Sequence, residues 1–453
     1  MDIIIVVCGK LGTCLAQNLS EENHNITVFD KNENLVNSIV DKYDVQGFVG
    51  GATIKKDLDE AGIKKTDLLI ATTASDENNI LSCLIARRMG AKHTIARVRN
   101  PEYIKQINFM RSELGISVLI NPDFNAALEI MRMLQFPDAM NVETFADGLV
   151  NIAEVKIKSD SPFADCKVGA ISSKFKNRML ICAVARGNEV FIPNGDFVVN
   201  SGDKIYITGS HKYLESIVSK FNPSKKFASL KDIMIIGGSR MAFYLAGLLE
   251  SQGKNIVIVE KNMQKCEELS DLLDKTTIIC GDANDYDFMK EEGIENMDAV
   301  VTLTNNDELN ILFTAFAESC SVPKNITKIN NPNLSILLDK FSSDSYINIT
   351  DVASNAIIHY IRAKKHVSSG EMKRLYKLVG GKVEAAEFVV DSKTKNLGKP
   401  LCNINIRQDV LIASISRKGK IIFPKGDDVI EIGDRIVIVS KERKIEKIND
   451  IFD

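Results

Sequence analysis

The chain has 453 residues, 45% of them hydrophobic and 26% charged, with a formal net charge of −3 at pH 7. That length sets a prior of a few domains, the composition is that of a globular chain, and the near-neutral balance argues against a nucleic-acid partner, which would need a basic face. No apolar run approaches the roughly 18 residues that span a bilayer, and the start MDIII has no basic flank, so no signal peptide is expected.

The apolar run 3–7 predicts a first strand, and Gly9 and Gly12 open a helix behind it. Together they nearly spell G-x-G-x-x-G, with Val7 where the first glycine belongs. Further strands follow at ITVFD, which ends on Asp30, at LLIATT and at TIARV, with helical stretches such as ENNILSCLIARRMG between them. Strands alternating with helices predict right-handed βαβ units and a parallel sheet. Residues 123–136 read as one amphipathic helix. Short β runs with turn signals come next, at ICAVAR, GNEVFI and SGDKIYIT, predicting a small β-rich domain of about 70 residues.

The whole pattern then recurs. MDIIIVVCGKLG resembles KDIMIIGGSRMA, which places Gly9 on Ser239 and Asp30 on Glu260. VGGATIKKDLDEAG matches CGDANDYDFMKEEG, IARVRNP matches ITKINNP, and NAALEIMR matches NAIIHYIR, so 351–366 is the twin of the helix at 123–136. Gly202-Asp203 falls on Gly433-Asp434. The period is too long for a solenoid. The expected fold is therefore α/β: two tandem copies of a Rossmann-like parallel-sheet domain, each followed by a small β-rich α+β domain. The boundaries read as 1–121, a connecting helix 122–142, 143–222, a linker 223–230, then 231–350, a connecting helix 351–370 and 371–453.

A dinucleotide loop works by geometry. Its first glycine permits the tight turn, its second lets backbone approach phosphate, and its third lets helix and strand pack closely. The helix N-terminus supplies N–H donors, and an acid about 20 residues on accepts the ribose hydroxyls. Copy one fills the last two glycine roles with Gly9 and Gly12 and has Asp30 as the acid. Copy two has Gly237, Gly238 and Ser239, then Arg240, Met241 and Ala242, and Glu260 as the acid. Ser239 puts a side chain at the most crowded contact, so copy one is expected to bind better. An acid at that position disfavours NADP, whose 2′-phosphate it would repel, relative to NAD or an adenine nucleotide. Arg97, with Lys328 as counterpart, ends a later strand and can neutralise phosphate.

These features together resemble the Trk-type (TrkA) potassium uptake regulators, a family built from tandem RCK (KTN) domains. They are the two loops, Asp30, the Gly50–Thr53 and Gly281–Asn284 pair, the TTASDENN and TLTNNDELN stretches and IARVRNPEY. The resemblance implies a cytoplasmic subunit, peripheral on the inner face of the membrane. It would self-assemble into a ring and gate a Trk-type membrane potassium-translocating subunit in response to NAD(H), or to ATP or ADP. The binding positions it implies in copy one are Val7, Cys8, Gly9, Lys10, Leu11, Gly12, Asp30, Gly51, Ala52, Thr73, Ala74 and Arg97. In copy two they are Gly237, Gly238, Ser239, Arg240, Met241, Glu260, Asp282, Ala283, Thr304, Asn305 and Lys328. The departures are Val7, Ser239, Asp282 against Gly51, and Lys328 in place of arginine.

The alternatives are an NAD-dependent dehydrogenase and an RCK-type regulator of another transporter or channel. A dehydrogenase needs a general acid or base at the nicotinamide, commonly histidine. None of the five histidines recurs in the other copy, and His24 and His93 fall on polar, solvent-like segments and are expected to be surface or satisfied core residues. No residue is assigned a catalytic or metal-ligating role. The nine cysteines form no C-x-x-C pair and are expected to be reduced, mostly buried thiols of a cytosolic protein.

Overall fold

Both copies open on a strand too apolar to face water on either side. β1 (Asp2–Val6) is buried at four of its five positions, and its twin β14 (Asp232–Ile236) matches it. Burial on both faces is the condition of a central parallel strand. A computed structural model describes residues 1–453 apart from 7–8, 23, 107–108, 110–111, 137–140, 146–148, 177, 188, 222–229, 335–344, 368–371, 380–381, 442–444, 446 and 453. Val7, Cys8 and most of the expected linker thus lie outside the described residues.

In copy one β1 pairs in parallel with β2 (Asn25–Asp30) on one side and β4 (Leu68–Ala71) on the other. β3 (Gln46–Val49), β5 (His93–Arg97) and β6 (Val118–Ile120) complete the order β3-β2-β1-β4-β5-β6. Copy two repeats it with β15 (Asn255–Glu260), β16 (Thr276–Cys280), β17 (Ala299–Thr302), β18 (Lys324–Lys328) and β19 (Tyr346–Ile347), in the order β16-β15-β14-β17-β18-β19. This is the doubly wound order whose chain direction switches beside the first strand, and ligands bind at that switch point. The connecting helices span Pro122–Gln135 and Ile349–Val367.

By contacts the described chain divides into two compact units, Met1–Met131 with Asp232–Ile358, and Arg132–Lys231 with His359–Asp453. The two Rossmann copies share the first unit. The second holds two five-stranded antiparallel sheets, one around β8 (Val150–Lys156), β10 (Met179–Arg186) and β13 (Lys204–Ser210), the other around β21 (Val383–Val389), β22 (Val410–Arg417) and β24 (Arg435–Lys441). One core of this unit joins Phe145, Ile152, Ala183 and Tyr206 of the first sheet to Val383, Ala385, Val437 and Val439 of the second. Neither sheet buries its inner face alone.

The repeated Gly-Asp turns lock these sheets. Gly202 and Gly433 take φ +88° and +89°, a left-handed conformation that suits glycine. Asp203 accepts from Arg186 Nε and Nη2 and from the Asn200 N–H, each at 2.8 Å. Asp434 does the same with Arg417 and the Glu431 N–H. Asp203→Ala and Asp434→Ala are each expected to cost about 2 kcal/mol, less than a fully buried pair because the guanidinium stays partly wet. Thermal unfolding of the two variants checks this.

One expectation is narrowed and one is corrected. For His24 the core alternative holds rather than the surface one, because it lies under the chain start, with Nδ1 3.4 Å from the Met1 ammonium. Of the eight described cysteines three are buried, three half-buried and two, Cys280 and Cys402, exposed; the apolar runs place several of them at strand and helix ends, where burial stops.

Candidate functional site

In copy two the strand-to-helix turn is built as its residue types require. Gly237 has φ +101°, and a Cβ there would lie 3.0 Å from the Thr304 nitrogen and 3.1 Å from its Cα. Its N–H bonds back to the Val259 carbonyl at 2.8 Å. Ser239 has ordinary extended backbone and serves as N-cap of the helix Arg240–Glu250, its hydroxyl oxygen accepting from the Ala242 N–H at 3.3 Å. The side chain that looked like an obstruction thus holds a helix end, and its hydroxyl proton remains available to a ligand.

Glu260, at the end of β15, is nearly buried. Its Oε2 accepts from the Gly238 N–H at 2.7 Å and its Oε1 from the Asn262 N–H at 2.9 Å. Each carboxylate oxygen can take a second donor, so capacity for ribose hydroxyls remains. A cavity of about 340 Å³ opens at the carboxyl ends of these strands. It is lined by Gly237, Gly238, Ser239, Glu260, Asp282, Ala283, Thr304 and Asn305, eight of the eleven positions expected for this copy. Asp282 accepts from the Asn284 N–H and side-chain amide, and the backbone bond above all holds its carboxyl below the usual range.

Three expected residues do not line that cavity. The Met241 side chain is in the core, which leaves only its backbone for a ligand. Lys328 is buried and donates to the Thr304 carbonyl at 3.1 Å and to Asn305 Oδ1 at 3.2 Å; desolvation lowers its pKa, against the pull of Asp123 and Asp307. Arg240 turns toward the other copy, with Nε 4.0 Å from Asp123 Oδ2.

Copy one has the same frame. Gly9 is the N-cap of the helix Lys10–Ser20, with no side chain to cap it. Gly12 and Leu11 are buried and Lys10 exposed. Asp30 Oδ1 accepts from the Asn32 N–H at 2.9 Å. The Gly51 N–H donates to Asp57 Oδ2 at 2.8 Å, Ala52 is buried, Thr73 half-buried and Ala74 exposed. Arg97 Nε is buried and has no hydrogen-bond partner among the described residues. Desolvation, then repulsion from Arg99, lowers its pKa. A buried guanidinium N–H without an acceptor suits an anion.

Two residues in each copy escaped the sequence reading although they recur there. Asn79 Oδ1 accepts from the Thr73 N–H at 2.7 Å, and its amide donates to the Thr73 and Arg97 carbonyls. Asn310 does the same for Thr304 and Lys328. Asp76 accepts from the Arg99 and Asn100 N–H groups, and Asp307 from those of Asn330 and Asn331. The signal was their repetition inside TTASDENN and TLTNNDELN.

Within this unit the copies also touch. Arg99 Nε donates to Asp123 Oδ2 at 2.8 Å, so Asp123 lies between Arg99 and Arg240. Tyr244, on the second loop's helix, accepts from the Asn121 amide at 2.9 Å, donates to the Arg99 carbonyl at 3.2 Å and meets Phe124 edge-on. Burial pushes its pKa up to about 12.

Two doubly wound sheets in one chain, each followed by a small antiparallel domain, define a tandem-Rossmann protein. Solved structures share that fold: the GsuK channel bound to NAD at TM-score 0.64 and 18% identity, over 97% of this chain and 77% of that one, and the GsuK RCK domain at 0.63 and 18%, over 97% and 92%. The TrkA-N domain model matches residues 3–122 and 233–349, and the TrkA-C domain model matches 152–222 and 385–453. The Trk system potassium uptake protein TrkA homolog of Archaeoglobus fulgidus is 31% identical over all of both chains. TrkA of Vibrio alginolyticus is 29% identical over 98% of this chain and 96% of its own. The chain belongs to the TrkA family of Trk system potassium uptake proteins.

Proposed function

We propose that the chain is a nucleotide-sensing regulatory subunit of potassium uptake, acting from the inner face of the membrane on a Trk-type translocating protein and assembling into a ring. The observation that carries this is the copy-two cavity, where a glycine turn, a helix N-terminus and a strand-end acid meet at the switch point of a Rossmann sheet. No described helix is long and apolar enough to cross a membrane, in keeping with a separate translocating partner. NAD(H) is the preferred ligand, with ATP and ADP as alternatives. Ser239 and the helix N-terminus would hold phosphate, and Glu260 or Asp30 the ribose. Arg97 and Lys328 would supply positive charge. The Rossmann segments 1–121 and 231–350 would do the sensing.

Binding matters for gating only if one arrangement of the ring binds the nucleotide better. A tenfold preference supplies about 1.4 kcal/mol per site. The contact through Tyr244, Asn121 and Arg99 offers the path, because the helix that caps the second loop rests on the first copy. A dehydrogenase would instead turn over NADH with an oxo acid, and constant NADH absorbance in that assay separates the two.

Calorimetry of the full chain with NAD, NADH, ATP and ADP tests the assignment. Asp30→Ala and Glu260→Ala are each expected to weaken one site about tenfold, the worth of charge-assisted hydrogen bonds to ribose. Unchanged binding in both variants overturns it.

A further inference from the structure

Copy two carries a pair of thiols beside its acid that copy one lacks. Cys266 stands where the first copy has Val36, and Cys280 where it has Val49. Cys280 ends β16 and lies opposite Glu260 in the parallel ladder, as Val49 lies opposite Asp30. Cys266 is in the helix Met263–Leu272, and its thiol donates to the Glu260 carbonyl at 3.2 Å. That carbonyl also accepts the Gly281 N–H at 3.0 Å. The Cys266 sulfur and the backbone just after Cys280 thus meet at one carbonyl oxygen, which holds the sulfur against the end of β16 where Cys280 stands. Cys280 is exposed and Cys266 buried.

We propose that Cys266 and Cys280 are an oxidation site for hydroperoxides, forming a disulfide that weakens nucleotide binding in the second copy and spares the first. The nucleotide readout rests on the function proposed above. Burial pushes the Cys266 thiol up to about 11, so the chemistry begins at the exposed Cys280. The Cys280 thiolate attacks one peroxide oxygen, the O–O bond breaks, and the departing alkoxide takes a proton to leave as alcohol. The Cys266 sulfur then attacks the Cys280 sulfenic acid, the S–S bond forms, the S–O bond breaks, and hydroxide leaves with the Cys266 proton as water. Two thiols lose two electrons and the hydroperoxide gains them.

The site responds because the acid shares its supports with these cysteines. An S–S bond of about 2.05 Å takes the Cys266 hydrogen bond from the Glu260 carbonyl and draws the helix start toward β16. Asn262 caps that helix, accepting from the Lys265 N–H at 3.1 Å, and its own N–H holds Glu260 Oε1. Leu269, a turn beyond Cys266, lies against Gly238. Carboxylate and loop are displaced together.

The test treats the reduced full-length chain with hydrogen peroxide, then maps peptides without reduction and measures NADH binding by calorimetry. An Asp30→Ala background reports the second site and Glu260→Ala the first. The expected result is a Cys266–Cys280 linked peptide, a loss of about tenfold at the second site, as for a displaced charge-assisted bond, and an unchanged first site. Dithiothreitol restores affinity. Cys280→Val and Cys266→Val, which install the first copy's residues, bind NADH in a peroxide-insensitive way. Absence of the linked peptide, or a linked protein with undiminished affinity, overturns the inference and leaves the proposed function standing. Reduced protein that binds none of the nucleotides overturns that function, and the regulatory half of this inference with it.

Discussion

Gly237→Val is expected to abolish nucleotide binding in the second copy and to destabilise its Rossmann domain by about 3 kcal/mol or more. Two independent penalties act at one atom. The backbone sits at φ +101°, where a β-branched residue is strained. The new Cβ would also press on the backbone nitrogen and Cα of Thr304, which cannot rotate away as a side chain end could. Relief requires parting the turn after β14 from the end of β17, and the cavity lies between them. At Gly238 a Cβ would meet Leu269 Cδ1 and Glu260 Cγ instead, which are flexible, so Gly238→Ala should fold and mainly displace the acid. Gly247, in the following helix, has nothing within 4 Å, and Gly247→Ala is expected to stabilise by about 0.5–1 kcal/mol through helix propensity. Thermal unfolding of the three variants, with NADH titrations, checks the ordering.

Asn310→Ala is expected to cost about 3–5 kcal/mol, the sum for two or more buried backbone groups left without partners. The side chain is fully buried. It accepts from the Thr304 N–H at 3.0 Å and hydroxyl at 2.7 Å, and donates to the Thr304 and Lys328 carbonyls. Truncation orphans one N–H and at least one carbonyl and unties the end of β17 from the end of β18. Asn310→Asp keeps the shape but replaces a donor with a charge facing two carbonyls, so it should fare no better. Asn79→Ala should repeat the loss in copy one. A melting temperature near that of the unsubstituted chain for either alanine variant would show that water can replace the amide there.

Much of the site was legible because its parts are local or repeated. Glu260 follows from its distance behind the glycine loop, and Gly237 from a turn that only glycine makes easily. The role of Ser239 was half legible: its position was evident, but whether its side chain obstructs the loop or caps the helix depends on a φ that sequence does not display. Asn79 and Asn310 recur in register, yet nothing in their neighbourhood says that their partners, Arg97 and Lys328, are 18 residues away on another strand. For His24 the polar chain neighbours left surface and core both open, because burial is set by what folds over a residue.

The sequence alone determined the duplication, the strand–helix alternation and the spacing of loop to acid, since periodicity and turn chemistry act within a few residues. Tertiary structure decided which residues meet across distance. It set Asp123 between Arg99 and Arg240, rested Tyr244 on the first copy and placed two cysteines of the second copy beside its acid. Contacts of this kind depend on how sheets and helices pack, and packing is settled by the whole chain burying its apolar faces at once.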